Sequence, residues 1–505
     1  MGLWDVTIQD VIKKNALLCK DQVAFVCGEK SWTFDQYASE VDLLASGLAS
    51  LGVEKGDRIG VLAFNCYEFF LFYGAVARLG AILLPINWRL KPEEIQVILE
   101  ICTPKVIVAD PDYADMMGTL AGRCPSVAYR LLIGKGGNGF RPFHELMESV
   151  GMFEEVDVAQ QDPFIILPTA AVEGKPKGAV LTHQNLIAAN LQNMALMCIQ
   201  GDDVHLNVMP LFHIVGIEIA FSVLHAGGLN VIMNKFDSKE AGALIEKMQV
   251  TIIPTVPPML SSILDQVEAS GLDLRCLRVV AGLAEDPETI GRLQEITGAK
   301  FWVGFGQSET TGYITLCPHD DRPGSSGKEG LLARIRVVDD YDEDVEIGQP
   351  GEVVVRGPLV FKGYWDSEDD TSYAFRERWH HTGDIGRLDE KGYLWYVKRK
   401  AEKELIKPGG ENVYPAEVEK TLLEHSDVLE ACVFGIPDKQ WGEAIKAVCR
   451  CKIDSTLDVQ ELIDFVGSRI ARYKKPKYIS FVEILPKAED GTVDRDKVKA
   501  EHAIS

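Results

Sequence analysis

Short apolar runs separated by amphipathic segments fill the first three hundred residues, and nothing else in the chain constrains the fold as strongly. Runs at 58–63, 81–85, 105–109, 164–167, 229–233, 251–254, 277–281 and 300–304 are of strand length. Several are apolar without alternation, as strands covered on both faces of a parallel sheet require. Segments such as 239–249 and 286–297 carry helical periodicity between them, so the pattern predicts a layered α/β architecture. The stretch 67–85 reads as a helix and then a buried strand. Glu68 and Arg78 interrupt it, so no membrane span is expected.

From 333 to 397 the rhythm changes to short alternating strands with turn signals, which predicts a β-rich subdomain. The run 398–404 is almost wholly charged, and as such reads as a solvated linker. Beyond it comes a compact α+β unit of about one hundred residues. A chain of 505 residues is too long for one core. The expected division is a large N-terminal layered α/β domain with its β-rich subdomain, 1–402, and a small mobile α+β C-terminal domain, 403–505.

A net charge of −23 argues against nucleic acid and anionic membranes as partners. It also means that any anionic ligand needs a local positive patch. Eleven dispersed cysteines without metal spacing fit reduced thiols and a cytoplasmic setting. The first residues lack a basic stretch followed by an apolar core, so no targeting segment is expected.

The chemistry-bearing stretch is Leu167-Pro168-Thr169-Ala170-Ala171-Val172-Glu173-Gly174-Lys175-Pro176-Lys177-Gly178. It follows an apolar strand and precedes a helix-like segment opening near Thr182-His183. A glycine- and lysine-bearing loop at a strand-to-helix junction is where α/β proteins hold phosphates. Gly174 and Lys177 suit that work. Further along stand Pro210-Leu211-Phe212-His213, Gly304-Phe305-Gly306-Gln307-Ser308-Glu309-Thr310, Thr382-Gly383-Asp384, Gly409-Gly410-Glu411-Asn412-Val413-Tyr414-Pro415 and Tyr473-Lys474-Lys475-Pro476. Read alone, Glu309 is a carboxylate just past a strand end, fit for a hard cation or for capping its loop. Asp384 is a strong acceptor or the start of an Asx-turn. His213 is a ligand contact or a satisfied core histidine. The glycine pair is a place of close backbone approach or an ordinary turn. His183, His380 and His381 have no zinc spacing.

Taken in order, these segments resemble the motifs of the adenylate-forming superfamily, closest to its fatty-acid and acyl-CoA ligases. The resemblance implies ATP, Mg²⁺ and CoA as ligands and a small-molecule carboxylic acid as substrate, and leaves a homodimer open. It implies that Thr169, Gly174 and Lys177 belong to the phosphate loop and that Glu309 binds magnesium. His213 falls in the pocket for carboxylate and CoA. Gly282-Leu283-Ala284 and Phe305 would flank adenine, with Gly306, Gln307 and Ser308 beside them, and Asp384 and Arg399 would contact ribose. Lys403 falls at the hinge, and Gly409, Gly410 and Glu411 lie where pantetheine passes. The segments 212–224 and 312–316 would line an apolar acid pocket.

Three positions depart from the family pattern. Ala170, Ala171, Val172 and Glu173 replace hydroxyls and a glycine, and Glu173 would stand near a triphosphate. Two like charges about 4 Å apart repel by about 4 kcal/mol at an effective dielectric of about 20. Near Ala401 an arginine is missing, with Arg399 two residues earlier. Thr492 occupies the place of a lysine that bridges carboxylate and α-phosphate, with Lys487 and Lys497 as nearby cations. Two expectations follow: an acid–CoA ligase that forms an acyl-adenylate and then a thioester, or a nucleotide- or acyl-CoA-binding homologue defective in adenylation.

Overall fold

The computed structural model describes the whole chain apart from residues 1, 4, 138, 149–154, 170–175, 400–404, 439–440, 454, 488–492 and 504–505. Among the described residues two eight-stranded sheets form the large domain. In one, parallel strands Arg58–Leu62, Ile82–Pro85, Val106–Ala109, Tyr129–Leu132 and Pro163–Thr169 lie side by side. In the other, Val23–Cys27, Val204–Asn207, Leu229–Ile232, Ile252–Pro254, Val279–Gly282 and Lys300–Gln307 run parallel. Every apolar run named above is a strand, to within a few residues at its ends. Val204–Asn207, Val-His-Leu-Asn, carries a weaker apolar pattern and owes its strand state to the sheet it joins.

Helices Tyr67–Leu79 and Ile214–Ala226 lie in one core with both sheets' flanking helices. Phe69, Phe70, Phe72 and Tyr73 are buried on one, Ile217, Phe221 and Leu224 on the other. Such helices are apolar all round because protein surrounds them. A five-stranded antiparallel sheet including Gly351–Arg356, Trp379–Leu388 and Leu394–Arg399 follows, as the alternation predicts. The small domain packs helices Pro415–Leu423 and Val459–Arg469 on a three-stranded sheet around its own core. Among the described residues no helix is long and apolar enough to cross a membrane.

One expectation is corrected. The glycine- and lysine-bearing stretch does not lead from its strand straight into a helix: a second strand, Lys177–Thr182, comes between. Pro163–Thr169 pairs antiparallel with Lys177–Thr182, from Thr169 opposite Lys177 down to Pro163 opposite Thr182. Helix His183–Met197 therefore begins at the far end of the hairpin. Its N-terminus is already capped by Thr182, whose Oγ1 accepts from the Asn185 amide at 3.2 Å. A helix dipole acts within its first turn, so this one does not reach the loop. The sequence signal was misread because Gly178-Ala179-Val180-Leu181 is short enough to pass for a turn's end.

Candidate active site

A cavity of about 940 Å³ opens where the two domains meet. The C-terminal end of strand Lys300–Gln307 brings Gly306, Gln307, Ser308 and Glu309 to its wall, and Thr169 and Lys177 come from the hairpin. The N-terminus of helix Ile214–Ala226 brings His213, Ile214 and Val215. From the other side Lys407, Gly409, Glu411, Asn412 and Tyr414 enter on the loop that precedes helix Pro415–Leu423. Strand C-termini converging on one crevice are what an open α/β sheet provides.

Glu411 joins the two halves. Its carboxylate pairs with the Arg89 guanidinium and lies 3.3 Å from His213 Nε2, both on the large domain. Burial disfavours its charge, but His213 and Arg89 outweigh burial and hold the carboxyl down at about 2. Arg89 in turn lies over the Trp88 ring, 4.8 Å from its centre. Behind this contact Lys474 bridges the domains, donating to Glu94 of the large one and, at 2.7 Å, to Glu417 of the small one. Burial works against the ammonium, yet the two carboxylates raise it.

On the large-domain wall Glu309 Oε1 accepts from the Tyr364 hydroxyl at 2.9 Å. Its backbone carbonyl is held by the Phe361 amide at 2.8 Å, so the turn Ser308–Thr310 has a fixed orientation. One carboxylate at a cavity wall suits Mg²⁺, which keeps waters and phosphate oxygens as its other ligands. Among the described residues no group of three ligating side chains exists, so an all-protein metal cage is not what this wall offers. Lys177 is already engaged, with its Nζ on Asp370 and 5.3 Å above the Tyr364 ring. Thr169 Oγ1 donates to the Lys177 carbonyl at 3.2 Å across the hairpin.

Four expectations change. Phe305 does not face the cavity: its ring is buried with Ile314, Val353 and Leu394, because strand alternation turns it away from neighbouring Gly306. Of Gly282-Leu283-Ala284 only Leu283 lines the cavity; Gly282 is buried in its strand and Ala284 is exposed. Asp384 is buried rather than on the wall, and pairs with Arg399, Nε to Oδ1 at 2.8 Å, in direct register across the sheet. Arg399 is the member that lines the cavity. Burial opposes its charge, but Asp384 and its neighbours keep it protonated. Finally, the segment 312–316 packs as strand in the core, and the apolar wall comes instead from Val208, Met209, Val215, Val256, Met259 and Leu283.

Gly409, at φ +58°, lines the cavity with its Cβ position 3.0 Å from the Trp441 ring. Lys487 pairs with Glu430 on the small domain. Gly174, Lys403, Thr492, Ala401 and the 170–173 departures lie outside the described residues. Sequence reasoning passed over Arg89, Lys407 and Trp441. Lys407 is a cavity-facing lysine whose ammonium burial and Arg399 push down. The signal for it was a lone lysine before the glycine pair; Arg89 and Trp441 gave none, since they matter only through the domain interface.

Comparison with known proteins places this geometry. The model of the AMP-binding enzyme family matches residues 12–365, and that of the AMP-binding enzyme C-terminal domain matches 417–492. An indoleacetate–CoA ligase of Aromatoleum aromaticum is 32% identical over 97% of each chain. A long-chain-fatty-acid–CoA ligase of Mycobacterium tuberculosis is 30% identical over 93% of each. The o-succinylbenzoate CoA synthetase of Bacillus subtilis is matched in two states. With the product analogue OSB-NCoA bound, a double mutant gives a TM-score of 0.85 at 27% identity over 97% of each chain. In complex with AMP it gives 0.71 at 26% over 97% of this chain and 98% of that one.

Proposed function

The chain belongs to the AMP-binding enzyme family, and from that premise we propose that it is an ATP-dependent ligase that joins an apolar carboxylic acid, fatty or aromatic, to CoA. The acid's carboxylate attacks the α-phosphorus of ATP and pyrophosphate leaves. The CoA thiol then attacks the acyl-adenylate carbonyl and AMP leaves. The work is positioning and charge stabilisation rather than covalent catalysis by the protein.

In this reading Glu309 holds Mg²⁺, which supplies charge neutralisation on the triphosphate. Arg399 contacts the nucleotide and Asp384 aims it. Lys177 closes the hairpin side, and Gly306, Gln307 and Ser308 flank the base and phosphates. Lys407 supplies a cation near the reacting centre, where Thr492 cannot. His213 and Glu411 stand at the seam through which the thiol approaches, beside Gly409. The apolar wall from Val208 to Leu283 receives the acid. Free thiols at all eleven cysteines agree with a reducing, cytoplasmic setting, and the hinge falls near Lys403, between domains 1–402 and 403–505.

The observation that carries the reading is Glu411 of the small domain seated on His213 and Arg89. With Gly409 in the wall, it supports taking this arrangement as the thioester-forming one. The better match to the product-analogue complex than to the AMP complex of one synthetase supports the same assignment. The test is pyrophosphate release with Mg·ATP, CoA and a panel of aromatic and fatty acids, beside Thr492→Lys. Release by the unaltered protein is expected, and Thr492→Lys should raise it. Silence from both, with no rise in melting temperature at millimolar Mg·ATP, would sink the ligase reading.

A further inference from the structure

Strand Gly363–Tyr364 lies against Lys177–Thr182, with Gly363 opposite Val180 and Tyr364 opposite Ala179. The short helix Glu368–Ala374 follows and is tied back to that strand. The Tyr364 amide donates to Thr371 Oγ1 at 2.9 Å, and Thr371 Oγ1 donates to the Ser367 carbonyl at 2.7 Å. This arrangement carries Asp370 to the cavity wall beside Lys177, 193 residues earlier in the chain. Asp370 Oδ1 accepts from the Lys177 ammonium, and its Oδ2 accepts from the Ser367 hydroxyl at 2.7 Å. The chemistry above gives this carboxylate no task.

Its place is unusual for a cavity that is to receive a polyanion. Lys177 lies 5.3 Å above the Tyr364 ring, and the hydroxyl of the same tyrosine donates to Glu309. Lys177 and Glu309 therefore flank one side chain, and Asp370 neutralises the cation at that end. The pair is open rather than sealed, with 27% of the Lys177 side chain and 35% of the Asp370 side chain exposed. An ion pair within reach of water contributes little net free energy, so it exchanges readily. Phosphate oxygens are strong acceptors for a lysine ammonium, and Lys177 can turn to them. Ser367 still holds Asp370 when it does, so the carboxylate stays at the wall and takes the ammonium back when the anion departs.

We propose that Asp370 is an internal counter-ion for Lys177, which a polyphosphate must displace to bind and which helps to displace the polyphosphate as it leaves. The work of opening the pair is subtracted from the affinity of any ligand that needs Lys177. Mg·ATP and pyrophosphate are weakened alike, whereas AMP, which lacks the β- and γ-phosphates, is not. In a ligase whose first step releases pyrophosphate, the same counter-charge lowers ATP affinity and eases departure of the product. The inference rests on the reading of Glu309 and Lys177 as the Mg·ATP end of the cavity.

The test is calorimetric binding of Mg·ATP, Mg·pyrophosphate and AMP to the full chain as wild type, Asp370→Asn, Lys177→Met and the double variant. Asparagine keeps an oxygen for the Ser367 hydroxyl and removes the charge. Asp370→Asn should lower Kd for Mg·ATP and Mg·pyrophosphate by roughly fivefold, the upper range for an exposed ion pair, and leave AMP within about twofold. Lys177→Met should weaken both polyphosphates. Asp370→Asn added to Lys177→Met should then change little, because the partner through which Asp370 acts is gone. A rise in Kd on Asp370→Asn would make Asp370 a support that aims Lys177 at the phosphates, and overturns the proposal. An equal gain for AMP overturns it too, as does a gain that persists without Lys177, which is direct repulsion by the carboxylate. If Asp370→Asn does not fold, Asp370→Ala reads the same sign. A wild type that binds neither polyphosphate removes the proposal and the nucleotide reading together. Should the binding pattern hold while no acid supports pyrophosphate release, the counter-ion stands and the ligase reading falls.

Discussion

The core between the two large sheets and the seam between the two domains are built from opposite materials. In the core, Phe69, Phe70, Phe72 and Tyr73 pack against Phe164, Leu211 and Phe221, all within 2% of full burial. At the seam the contacts are charged: Glu411 on Arg89 and His213, Lys474 on Glu94. Apolar burial is non-directional and contributes about 25 cal/mol per Å², so a seam made of it would lock. Ion pairs exchange for water at small net free energy because desolvation offsets most of their attraction. A polar seam can part and reform. The mobile C-terminal domain proposed above would use that property, and the core must not have it.

The largest effect should come from the core. Phe70→Ala removes a ring with no exposure and should destabilise the large domain by about 3–5 kcal/mol. Urea unfolding checks this, and the seam should stay closed up to the transition. The comparison would break if the seam opened first.

Acid should open the seam. Glu411 has a folded-state value depressed to about 2 from an ordinary carboxyl's. Its contribution is therefore complete above the unfolded value and is lost as pH falls from about 4.5 towards 2, up to roughly 3 kcal/mol. Small-angle scattering should show constant dimensions from about pH 5 to 9 and expansion below about 4. Expansion at neutral pH would mean that other groups hold the domains.

Glu411→Ala removes the shared partner of Arg89 and His213 and leaves two donors facing one another. Acyl-CoA formation from preformed adenylate should slow by about a hundredfold, while pyrophosphate release changes by less than about threefold. Single-turnover kinetics with each half-reaction monitored apart would sharpen the contrast, since equal losses would place Glu411 in both steps. The smallest effect belongs to Arg275→Ala. Its partner Asp273 is two residues away and both are exposed, so neither melting temperature nor turnover should move measurably.

Much of the frame was legible beforehand. Parallel strands buried on both faces can only be written as continuous apolar runs, so the strand at 106–109 and its companions stood out. Helix Pro287–Thr297 was legible because Asp286 caps it, accepting from the Thr289 amide at 3.1 Å, and Pro287 follows. The hairpin 163–182 was not, because whether Lys177–Thr182 turns back on its neighbour is decided by the sheet it joins. Phe305 was misplaced for a related reason. A two-residue period tells which residues share a face, but which face meets the cavity depends on the sheet's other side.

The sequence by itself determined the alternation of buried strands and helices in the large domain, the separate apolar cores and the residue types gathered near strand ends, because these follow from local periodicity and composition. Only the tertiary structure decided that Asp384 is spent on Arg399 rather than left facing the cavity. It alone decided that Glu411 meets His213 and that Asp370 meets Lys177. Each of these is a contact between segments far apart in the chain, and no local signal encodes a partner that only folding brings within hydrogen-bonding distance.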